Sequence, residues 1–291
     1  MRESALSFEC GGAALVGILH KPEKSSQRGV LFVVGGGPQY RSGGHRQLTL
    51  WSRHLCAAGY PVFRFDYRGM GDAHGDFLGL EGIDDDIRGA IDQFFKAVPE
   101  LKEVVLWGEC DASSAVLFYA YRDSRVKGLV LLNPWARTQA GEAKAILRFY
   151  YLQRCMQPSF WMKVFSFRFN PIASVLSAFK LMRLSRKPNV DSALEIASDG
   201  LVAPIPRHSP LPERLLLGLT RFEGPVMLVL SGRDLIAREF EALVVGAKDW
   251  QEQFRCKPVT RHDLPDADHT FSSAVQRDQV VAWGLDWLRR W

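Results

Sequence analysis

Five residues, Gly108-Glu109-Cys110-Asp111-Ala112, follow the apolar run Val104-Val105-Leu106-Trp107 and put one cysteine at the apex of a small-residue turn. The pattern is that of a nucleophile elbow, G-x-S-x-G, with Cys110 at the serine position and Ala112 at that of the second glycine. A strand that turns abruptly into a helix leaves room only for small side chains beside the nucleophile, which accounts for Gly108 and Ala112. A thiolate at such an apex attacks esters, thioesters and activated amides, and the resulting thioester passes its acyl group to water or to another nucleophile. The competing reading of Cys110 is inert packing, because cysteine is among the residue types most often buried. Ser113 and Ser114 lie one helical turn beyond the apex, where capping or packing is the expected role.

A nucleophile of this kind needs a base within hydrogen-bond reach, an acid to orient the base, and backbone donors for the oxyanion. Asp234 follows the apolar run Leu228-Val229-Leu230-Ser231 and is placed just past a strand end, and His269 lies in the loop Leu264-Pro265-Asp266-Ala267-Asp268-His269 before the last helix. Nucleophile, acid and histidine thus occur in one of the known chain orders. Asp266 and Asp268 compete with Asp234 for the orienting role. The start of the helix after Cys110 favours a thiolate through its dipole, and an imidazolium at His269 adds to that. The Glu109 and Asp111 carboxylates oppose it if they face the sulfur.

The elements that must carry these residues alternate. Leu6–Cys10 and Ala13–His20 read as an antiparallel pair split by Gly11-Gly12, followed by a strand over Gly29–Val34. A helix over Gln47–Ala58, a strand over Pro61–Phe65, a helix over Ile83–Ala97, a strand over Val104–Trp107, a helix over Ser113–Tyr121 and a strand over Val126–Leu132 come next. The alternation resumes with a strand over Pro225–Ser231, a helix over Arg238–Ala247, a strand over Thr260–Leu264 and a closing helix over Ser273–Arg290. Val280, Trp283, Trp287 and Trp291 would fall near one face of that last helix. Such order predicts a mostly parallel sheet with helices on both faces.

Residues 136–219 break the pattern: the segment is rich in aromatics, Met and Pro and carries about ten Lys or Arg against a single Glu up to Lys187. It reads as a helical lid inserted over the crevice at the carboxyl ends of the strands, splitting a core of residues 1–135 and 220–291. Phe160 and Trp161 in the lid, with Gln39 and His45 after the glycine-rich loop, are candidate substrate contacts.

Over almost its whole length the chain resembles the α/β-hydrolase superfamily, and most closely the exosortase A system-associated hydrolase 1 family. Gly36-Gly37-Pro38-Gln39-Tyr40-Arg41, Gly44-His45-Arg46-Gln47, Phe63-Arg64-Phe65-Asp66-Tyr67-Arg68-Gly69-Met70-Gly71-Asp72 and the Cys110 elbow carry that resemblance. It implies an α/β-hydrolase fold with an eight-stranded sheet, Cys110 as nucleophile, Asp234 as acid and His269 as base. It also implies an oxyanion hole from the N–H groups of Asp111 and Gly37. Cys for Ser and Ala112 for Gly depart from the wider superfamily. The closer family implies a setting in polysaccharide export or surface-protein processing without adding a reaction.

With 291 residues, 47% of them apolar, the chain can bury a large core. Its five cysteines are scattered without C-x-x-C spacing, so reduced thiols are expected rather than disulfides or a zinc site. No motif asks for a coenzyme or metal, and Gly35-Gly36-Gly37 lacks the Gly-Lys-Ser/Thr of a phosphate loop. No apolar run is long enough to span a membrane and the first residues do not read as a secretory signal, which makes a cytoplasmic location the expectation. The net charge of +5 is concentrated in the lid, without a nucleic-acid recognition motif. The expected substrate is a small acyl ester or thioester, free or carrier-bound, with peripheral membrane contact as a further role for the basic lid. Cleavage of the acyl group, its transfer to a non-water acceptor, and a non-catalytic accessory protein docking through the lid all remain open on the sequence.

Overall fold

The computed structural model describes residues 1–37, 39–136 and 209–291. Strands and helices are numbered here in chain order among those residues. The strands are β1 (Arg2–Cys10), β2 (Ala13–Lys21), β3 (Arg28–Val33), β4 (Val62–Asp66), β5 (Glu103–Glu109), β6 (Val126–Leu132), β7 (Val226–Ser231) and β8 (Val259–Leu264). They form one sheet in the order β1-β2-β4-β3-β5-β6-β7-β8. β1 pairs antiparallel with β2 and β2 with β4, and every later pairing is parallel. The predicted α/β-hydrolase fold with a mostly parallel eight-stranded sheet is the fold observed.

Burial follows the place of each strand. β3, β4, β5 and β7, covered on both faces, are almost wholly buried, whereas the edge strands β1 and β8 alternate or stay half-buried. Helices α1 (Gln47–Ala57), α2 (Asp84–Ala97), α3 (Asp111–Tyr119), α4 (Leu211–Arg221), α5 (Leu235–Gly246), α6 (Lys248–Cys256) and α7 (Ala274–Leu288) supply the cover. Phe32, Trp51 and Trp107 stack through the core with centroids 5.2 to 6.2 Å apart, and Phe271 reaches the same cluster through Trp51 at 6.4 Å. That contact ties the loop carrying His269 to the central strands.

One element differs from the sequence reading. α6 was not foreseen, because Trp250 is its single buried residue and one anchor leaves no apolar periodicity to read. α4 lies at the end of the segment assigned to the lid. Its Leu215 and Leu219 are buried, and Gly218 sits so close to the Leu117 carbonyl that a Cβ would collide with it. The rest of that segment, residues 137–208, lies outside the described residues.

The turn Asp66-Tyr67-Arg68-Gly69-Met70-Gly71-Asp72 braces two loops near the site. Asp66, 1% exposed, accepts from the Arg41 backbone N–H at 2.5 Å and the Asp72 N–H at 3.0 Å and pairs with the Arg41 guanidinium. Asp86, also buried, takes a bidentate pair from Arg68 at 2.9 and 2.8 Å. Gly71 has φ 48°, and a Cβ there would run into the Asp66 carboxylate. Asp66, Arg68, Gly71 and Asp72 thus each have a structural role.

Candidate active site

Strand β5 ends at Glu109 and α3 begins at Asp111, leaving Cys110 alone to make the turn with φ 56° and ψ −125°. A positive φ in a residue with a Cβ is strained and persists only where its surroundings fix it. They do so here: Cys110 N–H donates to the Leu132 carbonyl at 2.9 Å, and its own carbonyl accepts from Ser113 N–H and Trp135 N–H, each at 3.1 Å. Gly108 passes so near the first turn of α3 that a Cβ would sit 2.7 Å from the Ala112 carbonyl carbon and from Ser113 N. The small-residue requirement read from the sequence therefore has a direct steric cause.

The structure brings Cys110, His269 and Asp234 together. His269 Nδ1 lies 2.7 Å from Asp234 Oδ2, and the Cys110 sulfur is in electrostatic contact with the same imidazole. Asp234 is 7% exposed and caps α5, accepting from Ile236 N–H at 3.1 Å and Ala237 N–H at 3.2 Å, so its carboxylate is fixed before it meets the histidine. Burial works against the imidazolium, but the hydrogen bond to Asp234 and the nearby Cys110 sulfur outweigh it and hold the His269 pKa up at about 10. The competing acids are engaged elsewhere. Asp266 pairs with Arg233 at 2.9 Å on the surface, and Asp268 accepts from Ser272 N–H at 3.0 Å.

Neither neighbouring serine is free to act. Ser113 Oγ lies 2.8 Å from the Gly108 carbonyl and 3.0 Å from that of Leu132, and accepts from Leu132 N–H at 3.1 Å. Ser114 Oγ donates to the Trp135 carbonyl at 2.5 Å. Both knit α3 to β5, β6 and the loop after β6.

Both carboxylates flanking Cys110 are turned to nearby partners. Glu109 receives a short hydrogen bond from the Gln47 amide at the start of α1; its Oε1 and the Gln47 Oε1 are buried without a partner among the described residues. Burial pushes the Glu109 carboxyl up to about 7, against the pull of His269 and Gln47. Asp111 Oδ1 accepts from Gly36 N–H at 2.6 Å. Burial raises its pKa too, opposed by the Gly36 and Ala112 N–H groups. The helix start that the sequence reading assigned to a thiolate thus already faces a carboxylate.

Among the other sequence candidates, Gly37 lies one residue beyond that contact, at φ 81° with open space where a Cβ would be. Gln39 folds back onto its own loop, its amide on the Gly35 carbonyl and its N–H 3.3 Å from the Met70 sulfur. His45, at φ 50°, sits in the short turn that precedes α1. Phe160 and Trp161 lie outside the described residues. The four described cysteines are free thiols, and among the described residues no cluster of His, Cys, Asp or Glu could hold a metal ion.

Asn133 was missed on the sequence. It is fully buried at φ 46° and its amide donates to Ser231 Oγ and to the His269 carbonyl, both at 2.9 Å, while its Oδ1 accepts from Ser231 N–H at 2.8 Å. One side chain thereby clamps the ends of β6 and β7 to the histidine loop. Its only sequence signal is a polar residue directly after an apolar strand.

A parallel sheet of this order, a strained residue between strand and helix, and a histidine–carboxylate pair on the last two loops define an α/β-hydrolase architecture. The sequence matches the Alpha/beta hydrolase family over residues 30–283, and the chain belongs to that family, which makes it a hydrolase by class. No curated protein matches the sequence. Solved structures similar to it include an esterase of Pyrococcus furiosus, at 14% identity and a TM-score of 0.64 over 100% of this chain and 91% of that one. A proline iminopeptidase of Mycobacterium smegmatis is similar at 15% identity and a TM-score of 0.58, covering 99% of this chain and 98% of its own. The esterase domain of a Rhodothermus marinus protein is similar at 18% identity and a TM-score of 0.57, covering 99% of each chain. At these identities the likeness is one of fold. Among the described residues no helix is long and apolar enough to cross a membrane.

Proposed function

We propose that this protein cleaves a small ester or thioester through an acyl-enzyme on Cys110, with His269 as base and acid and Asp234 as its orienting carboxylate. The observation that carries the reading is the arrangement itself: a buried cysteine at φ 56° in electrostatic contact with an imidazole whose Nδ1 lies 2.7 Å from a fixed carboxylate. The raised His269 pKa favours an imidazolium beside the sulfur, the partner a thiolate needs.

In the first half-reaction the Cys110 sulfur forms a bond to the acyl carbon, and the oxygen takes up the negative charge. Backbone N–H groups of Asp111 and of the Gly36-Gly37 turn would stabilise it. Collapse of the tetrahedral species breaks the bond to the leaving group, which receives the His269 proton. Water then attacks the thioester with His269 taking its proton, and the acid leaves as the thiol is restored. The closer resemblance to exosortase-associated hydrolases would place this chemistry beside polysaccharide export or surface-protein processing. The basic stretch within residues 137–187, which would meet an anionic or carrier-bound acyl group, lies outside the described residues.

The test is intact mass and product release with a panel of p-nitrophenyl esters and acyl thioesters. Wild type should gain a transient acyl mass, Cys110→Ala none, and turnover should fall by roughly a thousandfold or more in Cys110→Ala and in His269→Ala. Wild-type rates in Cys110→Ala would end the proposal, and wild-type rates in His269→Ala would remove the histidine from it.

A further inference from the structure

One N–H of the Gly36-Gly37 turn proposed for an oxyanion, that of Gly36, already holds an anion in this structure. Asp111 Oδ1 accepts from Gly36 N–H at 2.6 Å, and the nearby N–H groups of Ala112 and of Asp111 itself favour its charged form electrostatically. These are the first N–H groups of α3, together with one from the loop after β3, the two sources from which the fold assembles an oxyanion site. The approach is tight: a Cβ on Gly35 would lie 2.6 Å from Asp111 Oδ1 and 3.1 Å from Ala112 N. A glycine there lets the β3 loop bring its next N–H onto the carboxylate.

We propose that the Asp111 carboxylate is a built-in occupant of the Gly36 N–H at the oxyanion site, and that the Cys110 site acylates at full rate only when this carboxylate is displaced. The proposal rests on the acyl-enzyme reading and adds an autoinhibitory contact to it. The physical reason is competition. A carboxylate and a developing oxyanion carry the same charge and need the same donors, so both cannot be seated at once. Removing one such donor from an acyl-transfer site costs on the order of a hundredfold in rate, and a donor engaged by another anion is removed in the same sense. Burial makes the seated carboxylate easier to release, because its charged form lacks full solvation. Groups in electrostatic contact with it come from three other elements: Tyr67 after β4, Glu109 on β5 and His269 after β8.

The experiment compares wild type, Asp111→Asn and Asp111→Ala by three readouts. The first is Gly36 amide hydrogen exchange by NMR, the second Cys110 acylation by p-nitrophenyl acetate followed as intact mass after quenching, and the third Cys110 alkylation by iodoacetamide. In Asp111→Ala the exposed Gly36 amide should exchange faster and acylation should accelerate on the order of tenfold or more, with a smaller gain in Asp111→Asn. Alkylation, which forms no oxyanion, should change much less. Unchanged Gly36 exchange would mean that the contact does not exist and would overturn the inference. So would faster exchange without faster acylation, or an equal gain in acylation and alkylation, which would place the effect on the sulfur. If no form is acylated while all are alkylated, the acyl-enzyme reading itself falls and takes this one with it; an acylating wild type with indifferent variants overturns the inference alone.

Discussion

Cys110 sits in a conformation that its side chain disfavours, held by backbone hydrogen bonds from β6 and the loop that follows it. Its histidine is held just as firmly, through Asp234 on one side and the Asn133 amide on the main chain. A buried and a half-buried histidine set opposite pH limits on stability. The folded His269 pKa of about 10 exceeds its ordinary 6.5, so the stability it contributes is complete below pH 6.5 and lost as pH rises from 6.5 towards 10. His20 accepts from Arg64 at 3.0 Å, and burial, reinforced by the Arg64 charge, lowers its pKa from 6.5 to about 4. Its contribution is present above pH 6.5 and lost as pH falls towards 4. Thermal midpoints measured across pH should therefore peak near neutrality, with the alkaline slope flattened in His269→Gln and the acid slope flattened in His20→Gln. Slopes identical to wild type in either variant would contradict the assignment.

At the level of elements, the site depends on close passages between loops and strand ends. Gly232, after β7, runs against the backbone of Pro265 after β8, so that a Cβ would collide with the Pro265 carbonyl. Gly232→Ala should destabilise by about 1–3 kcal/mol or more and, by pushing the β8 loop away, separate His269 from Asp234 and lower activity beyond the loss of folded protein. Gly246, in the last turn of α5, has nothing within 4 Å of a Cβ, so Gly246→Ala should be neutral or stabilise by about 0.5–1 kcal/mol. Thermal melts and rates of the two variants side by side check both. Equal effects would show that helix propensity rather than packing controls these positions.

Across the whole molecule, the end of the chain is fastened to the middle of the sheet. Arg28 on β3 bonds Glu103 at 2.5 Å and the Leu288 carbonyl at 2.9 Å, and its guanidinium lies 3.7 Å from the Trp291 ring centroid. Trp283 stacks on His262 of β8 at 4.2 Å, and Trp287 packs on Trp291 at 5.3 Å, so α7 covers the sheet through its aromatic face. Arg28→Ala removes a half-buried ion pair, a cation–π contact and a carbonyl clamp. It should lower stability by roughly 1–3 kcal/mol and the thermal midpoint by a few degrees, with faster amide exchange near Leu288. Unchanged exchange there would mean that α7 is held by its apolar face alone.

The order of strands and helices, the elbow at Cys110 and the placement of Asp234 and His269 at strand ends were all legible in the sequence, because apolar periodicity and small-residue turns are local properties. α6 was not legible, since a helix with one buried anchor leaves no periodic trace. Which of Asp234, Asp266 and Asp268 meets His269 was left open by the sequence, as proximity along the chain says nothing about which carboxylate is fixed and buried. Nor did it show that Asn133 holds the histidine loop, that Glu109 pairs with Gln47, or that the Asp111 carboxylate lies on Gly36 N–H. Those contacts join residues between 62 and 136 positions apart, brought together only when the sheet stacks its strand ends. Local sequence determined which elements form and where the reactive side chains stand along them. Tertiary packing decided which partners those side chains have, because a hydrogen bond depends on distance in space and a pKa on the charges and solvent that packing leaves around the group.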